Sequence, residues 1–285
     1  MIEQIYTVEN FTFSTLEQAE LFENIVNKNK FNKKQKTLIS SGIKKGLDVS
    51  IYSFKYFKAE QMRQIKLGLE QDLNVDIYAR PKFDWEQMRE IRLGLENGID
   101  VSIYAKSTIH EKEMEIVRSI LENKWDISWY KPNTFGFWQL DSIVIGLKNN
   151  LNPSIYANPN YSSKIIGVVI KGLKNKIDLT NYVKERFNEY QLEVILKGLI
   201  NKLDISIYAK REFTWEQMEQ LYKGLILDLD VTSYANRQFA PCYMKKIKDE
   251  LFIEQYIKGN YFAKKYGKYL GKDYGKVNEQ TNDCS

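Results

Sequence analysis

A tyrosine recurs every 26 residues along most of this chain, and this spacing restricts the fold more than any other feature. The eight tyrosines are Tyr52, Tyr78, Tyr104, Tyr130, Tyr156, Tyr182, Tyr208 and Tyr234. Asp or Asn stands four residues before each, and Gly stands ten before seven of them. The eighth glycine position holds Ile120, and a Phe, Tyr or Ile follows each tyrosine five residues later. Such columns, without one insertion, identify a tandem repeat.

Each repeat predicts one long helix followed by a short helical turn. In the clearest unit, Phe83 to Lys106, the residues Met88, Ile91 and Leu95 follow helical spacing and form one buried stripe. The long helix is therefore expected to run for about three turns. The length of the unit leaves room for one further helical turn and tight connections.

Polar residues mark the helix ends. Asp84 with Gln87 predicts a capping box, and the same two positions hold Asn32 and Gln35, Asn188 and Gln191, and Thr214 and Gln217. Asn97-Gly98 is a helix stop signal. Asp100 is placed to cap the short turn that runs to Tyr104.

A unit of this kind cannot bury its apolar face alone, so neighbouring units must stack. The sequence therefore predicts an all-α solenoid of about eight 26-residue repeats over residues 31–251. Residues 1–30 and 252–285 depart from the template and are expected to be the N-terminal and C-terminal caps. Essentially no β-structure is expected.

The repeated columns have scaffold explanations. The Asp/Asn column is interpreted as helix caps, because successive members would lie too far apart to share a metal ion and Asn could not act as a general acid or base. The tyrosines are expected to form a ladder of half-buried rings with hydrogen-bonded hydroxyls. The glycines are expected to permit close approach between helices.

The chain offers no recognisable catalytic or cofactor site. His110 is the lone histidine, at a helix-cap position, and Cys242 and Cys284 lie far apart. No catalytic motif, metal-ligand spacing or phosphate-binding glycine loop is present, so a non-enzymatic protein without cofactors is expected. The absence of a membrane-length apolar run and of a secretory signal favours a cytoplasmic protein.

Basic residues of the first repeats predict a cationic stripe. One helix position reads Ser40, Lys66, Arg92 and Arg118, and a second position adds Arg63 and Arg89. Seven lysines without an acid between residues 28 and 45 extend this charge. The alternatives are a solvated helix face and a surface that binds phosphate or an acidic protein.

In the later repeats the first of these positions becomes apolar. It holds Val144, Ile170, Leu196 and Tyr222. Helices that are apolar around most of their circumference are buried on more than one side. A second copy of the chain, the C-terminal segment or a partner is expected to cover these residues, and a homodimer is one of these outcomes.

The stretch from Trp125 to Trp138 holds six aromatic residues. Trp125, Trp129, Tyr130 and Phe135 fall on scaffold columns, with Trp125 assigned to the core. Phe137 and Trp138 fall at the exposed start of a long helix. Oversized residues at positions 120, 125 and 129 are expected to bend the solenoid and to leave Phe137 and Trp138 on its surface; a dedicated binding patch is the alternative. Trp138, with Phe137 and Trp129, is therefore predicted to anchor a partner.

The C-terminal tail interleaves tyrosines with lysines and glycines. Its candidate nucleic-acid contacts are Lys264, Lys265, Tyr266, Lys268 and Tyr269. Aromatic rings can stack with bases while lysines neutralise phosphates. A capping helix with a flexible end has the same composition.

The consensus sequence of the repeat is similar to that of a known group of repeat proteins. The pattern "QMxxIRxGLExGxDVSIYA" resembles tandem helical repeats found in proteins of Firmicute phages and conjugative elements, and the unit length is similar to that of leucine-rich-variant repeats. The resemblance spans residues 31–251 and implies no catalytic residues. It implies a mobile-element protein that blocks a host defence system, in the manner of an anti-CRISPR protein.

The expected function is binding, and inhibition, of a macromolecular partner, with a protein partner preferred. The alternative is a repeat protein that binds RNA or DNA through the basic stripe and the tail. Binding that weakens steeply with salt would separate the second from the first.

Overall fold

The structure is a computed structural model that describes residues 5–258, with side chains described for residues 5–255. The chain divides into two compact units, the first ending at Val144 and the second beginning at Ile145. No helix in the described part of the chain is both long and apolar enough to cross a membrane.

The first unit begins with a β-hairpin and continues with helices. Strands β1 (Tyr6–Val8) and β2 (Phe11–Phe13) pair in antiparallel fashion. The helices are α1 (Leu16–Lys28), α2 (Lys33–Lys44), α3 (Ala59–Leu69), α4 (Trp85–Glu96), α5 (Glu111–Glu122) and α6 (Phe137–Lys148), and the division between the units falls within α6. Short 3₁₀ helices follow at Val49–Ile51, Val75–Ile77 and Val101–Ile103. From α1 to α5, each helix packs against the next one.

The second unit is helical over its described residues. Its helices are α7 (Ser163–Lys174), α8 (Thr180–Lys184), α9 (Glu189–Ile200), α10 (Trp215–Ile226) and α11 (Pro241–Lys258), with 3₁₀ helices at Pro153–Ile155, Ile205–Ile207 and Val231–Ser233. Helix α7 packs against α9, α9 against α10, and α10 against α11.

A long helix followed by a short one is present in seven of the eight repeats, and the all-α expectation is wrong at the N-terminus. The long helices from α2 onward begin 26 residues apart, and α8 takes the place of the 3₁₀ helix in the sixth repeat. The hairpin packs on the first helix, since the Phe11 and Phe13 rings lie 5.0 and 5.2 Å from the Phe22 ring. Two strands of three residues are too short to show alternation in the sequence.

Most of the tyrosine column is buried completely rather than half-buried as predicted, although Tyr130 is 6% exposed and Tyr182 is partly exposed. Six members, Tyr52, Tyr78, Tyr104, Tyr156, Tyr208 and Tyr234, are 0% exposed. The hydroxyl of Tyr104 donates to the Glu90 carbonyl at 3.2 Å, and the equivalent bond recurs at Tyr52, Tyr78, Tyr208 and Tyr234. Burial raises the pKa of Tyr104, because ionisation would place a charge away from water.

The glycine column makes room for these tyrosines. A Cβ atom at Gly94 would lie 2.0 Å from the Tyr104 hydroxyl oxygen, and the same conflict recurs at Gly42, Gly68, Gly198 and Gly224. The glycines do permit a close approach, but the prediction that a neighbouring helix makes this approach is wrong for these five. What approaches each of these glycines is the tyrosine of its own repeat.

The glutamines of the capping boxes also connect consecutive repeats. All four predicted boxes are present. In addition, the Gln35 side-chain amide donates to the Phe57 carbonyl at 2.8 Å, and Gln61, Gln87, Gln191 and Gln217 make the equivalent bond. These bonds fix the register of adjoining repeats, because a buried amide that loses its partner destabilises the fold.

The Asp/Asn column caps the short helices as predicted, and in the fourth repeat Asp126 caps a turn instead. Seven members accept a hydrogen bond from the backbone N–H two residues later: Asp48, Asp100, Asp126, Asn152, Asp178, Asp204 and Asp230. The eighth, Asn74, makes no such bond. Hydrogen bonds with Ser102 hold the pKa of Asp100 below its usual value.

The eight long repeat helices before α11 end in the same backbone motif. The chain reverses at a residue with positive φ, namely Gly46, Asp72, Gly98, Lys124, Asn150, Lys176, Lys202 and Asp228. The following residue is apolar and donates to a carbonyl of the last helical turn, as Leu47 does to Gly42 at 3.0 Å. This is a Schellman motif, in which an apolar contact accompanies the bond. Trp125 occupies this apolar position and is partly exposed, so its assignment to the core is wrong.

The fourth repeat departs from this pattern in a correlated way. Ile120 replaces the glycine, and the described 3₁₀ helices skip this repeat. The Tyr130 hydroxyl bonds instead to a Glu113 carboxylate oxygen at 2.7 Å, and Glu113 stands in the glutamine column. The same oxygen accepts from the Asn133 backbone N–H at 2.9 Å. Glu113 therefore anchors the loop that precedes α6.

The helix-end motif predicts a stabilising substitution. Lys202 has φ +56°, a conformation that is unfavourable for a residue with a side chain, so Lys202→Gly should raise the free energy of unfolding by about 0.5–1 kcal/mol. Urea denaturation measures this change. Gly98→Ala is the opposite control, because it introduces a side chain at φ +66°. Destabilisation by Lys202→Gly would contradict the motif.

Candidate interaction surface

The predicted cationic stripe is largely buried and paired. Lys66 and Arg92 are each 9% exposed. Each basic residue of this column forms an ion pair with the glutamate one helical turn later: Lys66 with Glu70, Arg92 with Glu96 and Arg118 with Glu122. The expectation that these three residues form a free basic surface is wrong.

Arg92 and Arg118 are not free because their position on the helix faces the preceding helix rather than solvent. Arg92 Nε donates to Gln64 Oε1 at 3.0 Å, and Arg118 Nε donates to Glu90 Oε2 at 2.9 Å, each partner lying 28 residues earlier. Burial alone lowers the pKa of Arg118, but its hydrogen bonds with the two glutamates outweigh burial and raise it. The column is therefore a polar connection between repeats.

The two remaining basic candidates differ from each other. Arg63 is exposed and forms no ion pair within the described residues. Arg89 is hydrogen-bonded to Glu90 at 2.7 Å, and its guanidinium lies 5.9 Å from the centroid of the Trp85 ring. Arg63 is thus the member of the predicted stripe whose charge remains available.

Two of the four apolar members of the same column are buried within the protein. Ile170 and Leu196 are each 3% exposed, whereas Val144 and Tyr222 are partly exposed. The Tyr222 hydroxyl accepts a hydrogen bond from Asn201 at 3.2 Å. The prediction left open whether the C-terminal segment, a second copy of the chain or a partner covers these residues. Ile170 and Leu196 are buried in the single chain, so they need neither a second copy nor a partner to cover them.

Phe137 and Trp138 lie on the surface, as predicted. They are the first two residues of α6 and are 43% and 70% exposed. Their rings contact edge to face, with centroids 5.1 Å apart. Trp138 has the largest exposed fraction of any large apolar side chain in the described residues.

Trp129 is held against the scaffold. Its ring meets those of Tyr130 and Phe135 edge-on, at 6.1 and 5.3 Å. Its indole N–H donates to the Asp126 carbonyl at 2.8 Å, and the side chain is partly buried. Trp129 supports the loop before Phe137, and its predicted contact with a partner stays a prediction.

Sequence reasoning missed a second exposed aromatic pair. Tyr190 and Trp215, at the starts of α9 and α10, are 48% and 39% exposed, and their centroids lie 5.7 Å apart. Lys164 Nζ lies 5.3 Å from the Tyr190 ring and 3.5 Å from Glu189. The signal was present in the sequence, since the first two helix positions carry aromatic residues in several repeats.

His110 is an exposed helix cap. It caps α5 through a bond from the Lys112 backbone N–H at 3.3 Å, and its side chain is 71% exposed. Cys242 is also exposed. The candidate nucleic-acid residues of the tail, Lys264, Lys265, Tyr266, Lys268 and Tyr269, lie outside the described residues, as does Cys284.

Comparison of the chain with models of protein families, with curated proteins and with solved structures finds no match. Within residues 5–258, no group of three or more His, Cys, Asp or Glu side chains is arranged to hold a metal ion. The exposed aromatic side chains at the starts of the long helices have no role in the packing of the repeats, since other repeats carry non-aromatic residues at these positions.

The pairing of the basic column predicts a strong effect of charge reversal. Arg92→Glu would place a carboxylate beside Glu96 and would remove the donor to Gln64. It should lower the free energy of unfolding by about 3 kcal/mol or more, because it breaks a buried pair. Arg63→Glu, the same change at an exposed position, should alter it by less than about 0.5 kcal/mol. If urea denaturation shows equal effects for Arg92→Glu and Arg63→Glu, the basic column is a solvated surface and not a buried, paired one.

Proposed function

We propose that this protein is a non-enzymatic helical-repeat, or solenoid, protein that binds a protein partner, with Trp138 and Phe137 as the anchor. The observation that carries the proposal is the 70% exposure of Trp138. At the same position the other long repeat helices carry Lys34, Glu60, Glu86, Lys112, Lys164, Tyr190, Glu216 and Cys242. The scaffold therefore does not require a tryptophan there.

A partner would gain most of its binding energy from these two rings. A buried tryptophan removes about 150–250 Å² from water. At about 25 cal/mol per Å², this corresponds to roughly 4–6 kcal/mol before the costs of association. Tryptophan is accordingly enriched among the residues that dominate protein interfaces.

The loop before the anchor is held in place in the unbound protein. Glu113, which is 8% exposed, accepts hydrogen bonds from Tyr130 and from the backbone of Asn133. The Gly136 backbone N–H donates to Gln139 Oε1 at 2.7 Å at the start of α6. A loop that is already ordered loses less entropy when a partner binds.

The biological setting of the proposal comes from the sequence resemblance. Similar repeats in proteins of Firmicute phages and conjugative elements suggest that the partner is a host defence protein and that binding inhibits it. The nucleic-acid alternative built on Lys66, Arg92 and Arg118 loses its support, because these side chains are paired within the protein.

The anchor can be removed by substituting residues that another repeat carries. Phe137→Ala with Trp138→Glu reproduces the Ala59-Glu60 pair of α3, so the melting temperature should change by less than about 2 °C. In a pull-down from the native host analysed by mass spectrometry, proteins that bind the wild-type chain should not be recovered with the Phe137/Trp138 variant. With the purified partner, titration calorimetry should show binding weakened by about 30-fold or more.

Trp85→Ala is the matched control, because it removes an aromatic residue from the first position of α4. Its binding should equal that of the wild type. An unchanged set of recovered proteins and an unchanged affinity for the Phe137/Trp138 variant would refute the anchor.

A further inference from the structure

A third exposed aromatic pair lies in the first repeat. Phe54 and Tyr56 are 42% and 52% exposed, and their rings are stacked with centroids 5.0 Å apart and planes at 6°. They lie in the loop between the 3₁₀ helix Val49–Ile51 and α3. Tyr56 also contacts the buried Phe57 ring at 4.8 Å, which fixes the orientation of the pair.

The repeat template does not require these rings. The equivalent positions of the other seven repeats hold Arg80 and Lys82, Lys106 and Thr108, Pro132 and Thr134, Asn158 and Asn160, Lys184 and Arg186, Lys210 and Glu212, and Asn236 and Gln238. None of these is aromatic. Because exposed apolar surface is unfavourable in water, an aromatic pair found only in one repeat suggests a ligand that covers it.

Three lysines lie beside Tyr56. Residues 28–60 contain nine lysines and two acids. Lys34, Lys55 and Lys58 line, together with Tyr56, a cleft of about 480 Å³. The acid in its lining, Glu60, lies 4.0 Å from the 80% exposed Lys34, which is too long and too exposed to neutralise the cleft.

Lys58 is an unfavourable residue for its position at the start of a helix. It occupies the N-cap position of α3 and makes no side-chain cap bond, whereas Asn32, Asp84, Ser162, Asn188 and Thr214 cap the equivalent helices. A cation at this end of a helix is also opposed by the helix dipole. Departures from local preference concentrate at functional sites, and this one adjoins the exposed rings.

We propose that Phe54, Tyr56, Lys34, Lys55 and Lys58 form a site for single-stranded nucleic acid. The lysines would bind phosphates, and a base would extend the stack of parallel rings. An acidic polypeptide would also meet the charge, but it offers no flat π-surface to the stacked rings. This site is independent of the Trp138 anchor, so either proposal can fail without the other.

The test measures fluorescence anisotropy of labelled oligouridylate and oligothymidylate of about 12 nucleotides with the full-length chain. Affinity should fall roughly tenfold or more between about 50 and 200 mM salt. Phe54→Asn with Tyr56→Asn, which copies Asn158 and Asn160, should weaken binding by about tenfold. The matched control Lys210→Asn should leave binding unchanged.

Lys58→Asp separates binding from folding. It copies Asp84 and restores a helix cap, so it should raise the melting temperature by about 2–4 °C while weakening nucleic-acid binding. Absence of binding at about 50 mM salt, or equal binding by the Phe54/Tyr56 variant, would overturn the site. Oligoglutamate of matched charge that binds as tightly as the oligonucleotides would overturn it in favour of an acidic polypeptide.

Discussion

The packing of one tyrosine against one glycine is the contact on which six of the eight repeats depend. The Tyr104 hydroxyl passes Gly94 to reach the Glu90 carbonyl, and a buried hydroxyl without such a partner would be costly. Glycine costs about 1 kcal/mol in a helix relative to alanine, so its retention needs this compensation. The Gly94 carbonyl also accepts the Schellman bond from Ile99 at 2.9 Å. The glycine therefore fixes the positions of the helix end, the short helix and the tyrosine ring relative to one another. An inserted residue between the glycine and the tyrosine would break this arrangement, which explains why the 26-residue spacing is constant.

The fourth repeat shows the consequence of losing this contact. With Ile120 in place of glycine, the Tyr130 hydroxyl turns to Glu113, and Glu113 in turn anchors the loop at Asn133. A glutamine at that position would offer an amide donor, as its equivalents do toward the next repeat. The repeat in which Ile120 replaces the glycine is also the one whose next helix starts with the exposed Phe137-Trp138 pair.

The period allowed most of the helical framework to be predicted, because periodicity reports which residues share a helix face. The long helices, their capping boxes and the aspartate caps are where the sequence placed them. Periodicity does not report what covers a face. Lys66, Arg92 and Arg118 therefore looked like a solvated stripe, although their pairing with glutamates one turn later was visible as i, i+4 spacing. Trp138 was predictable for the opposite reason, since the template itself marks its position as exposed. The partner roles of these surfaces remain predictions, since the recognition of a ligand is not encoded in the period.

The tyrosine–glycine contact can be tested by a double-mutant cycle in one repeat. Gly94→Ala would place a methyl group 2.0 Å from the Tyr104 hydroxyl and should cost about 1–3 kcal/mol. Removal of the hydroxyl by Tyr104→Phe should make the alanine less costly, so the double variant should be more stable than the sum of the single effects by about 1 kcal/mol. Gly167→Ala is the control, because its added Cβ would lie more than 4 Å from every atom outside the adjoining backbone of its own helix, and it should stabilise the protein by up to about 1 kcal/mol. Additive effects in urea denaturation, or a Gly94→Ala variant that is stabilised like Gly167→Ala, would contradict the account.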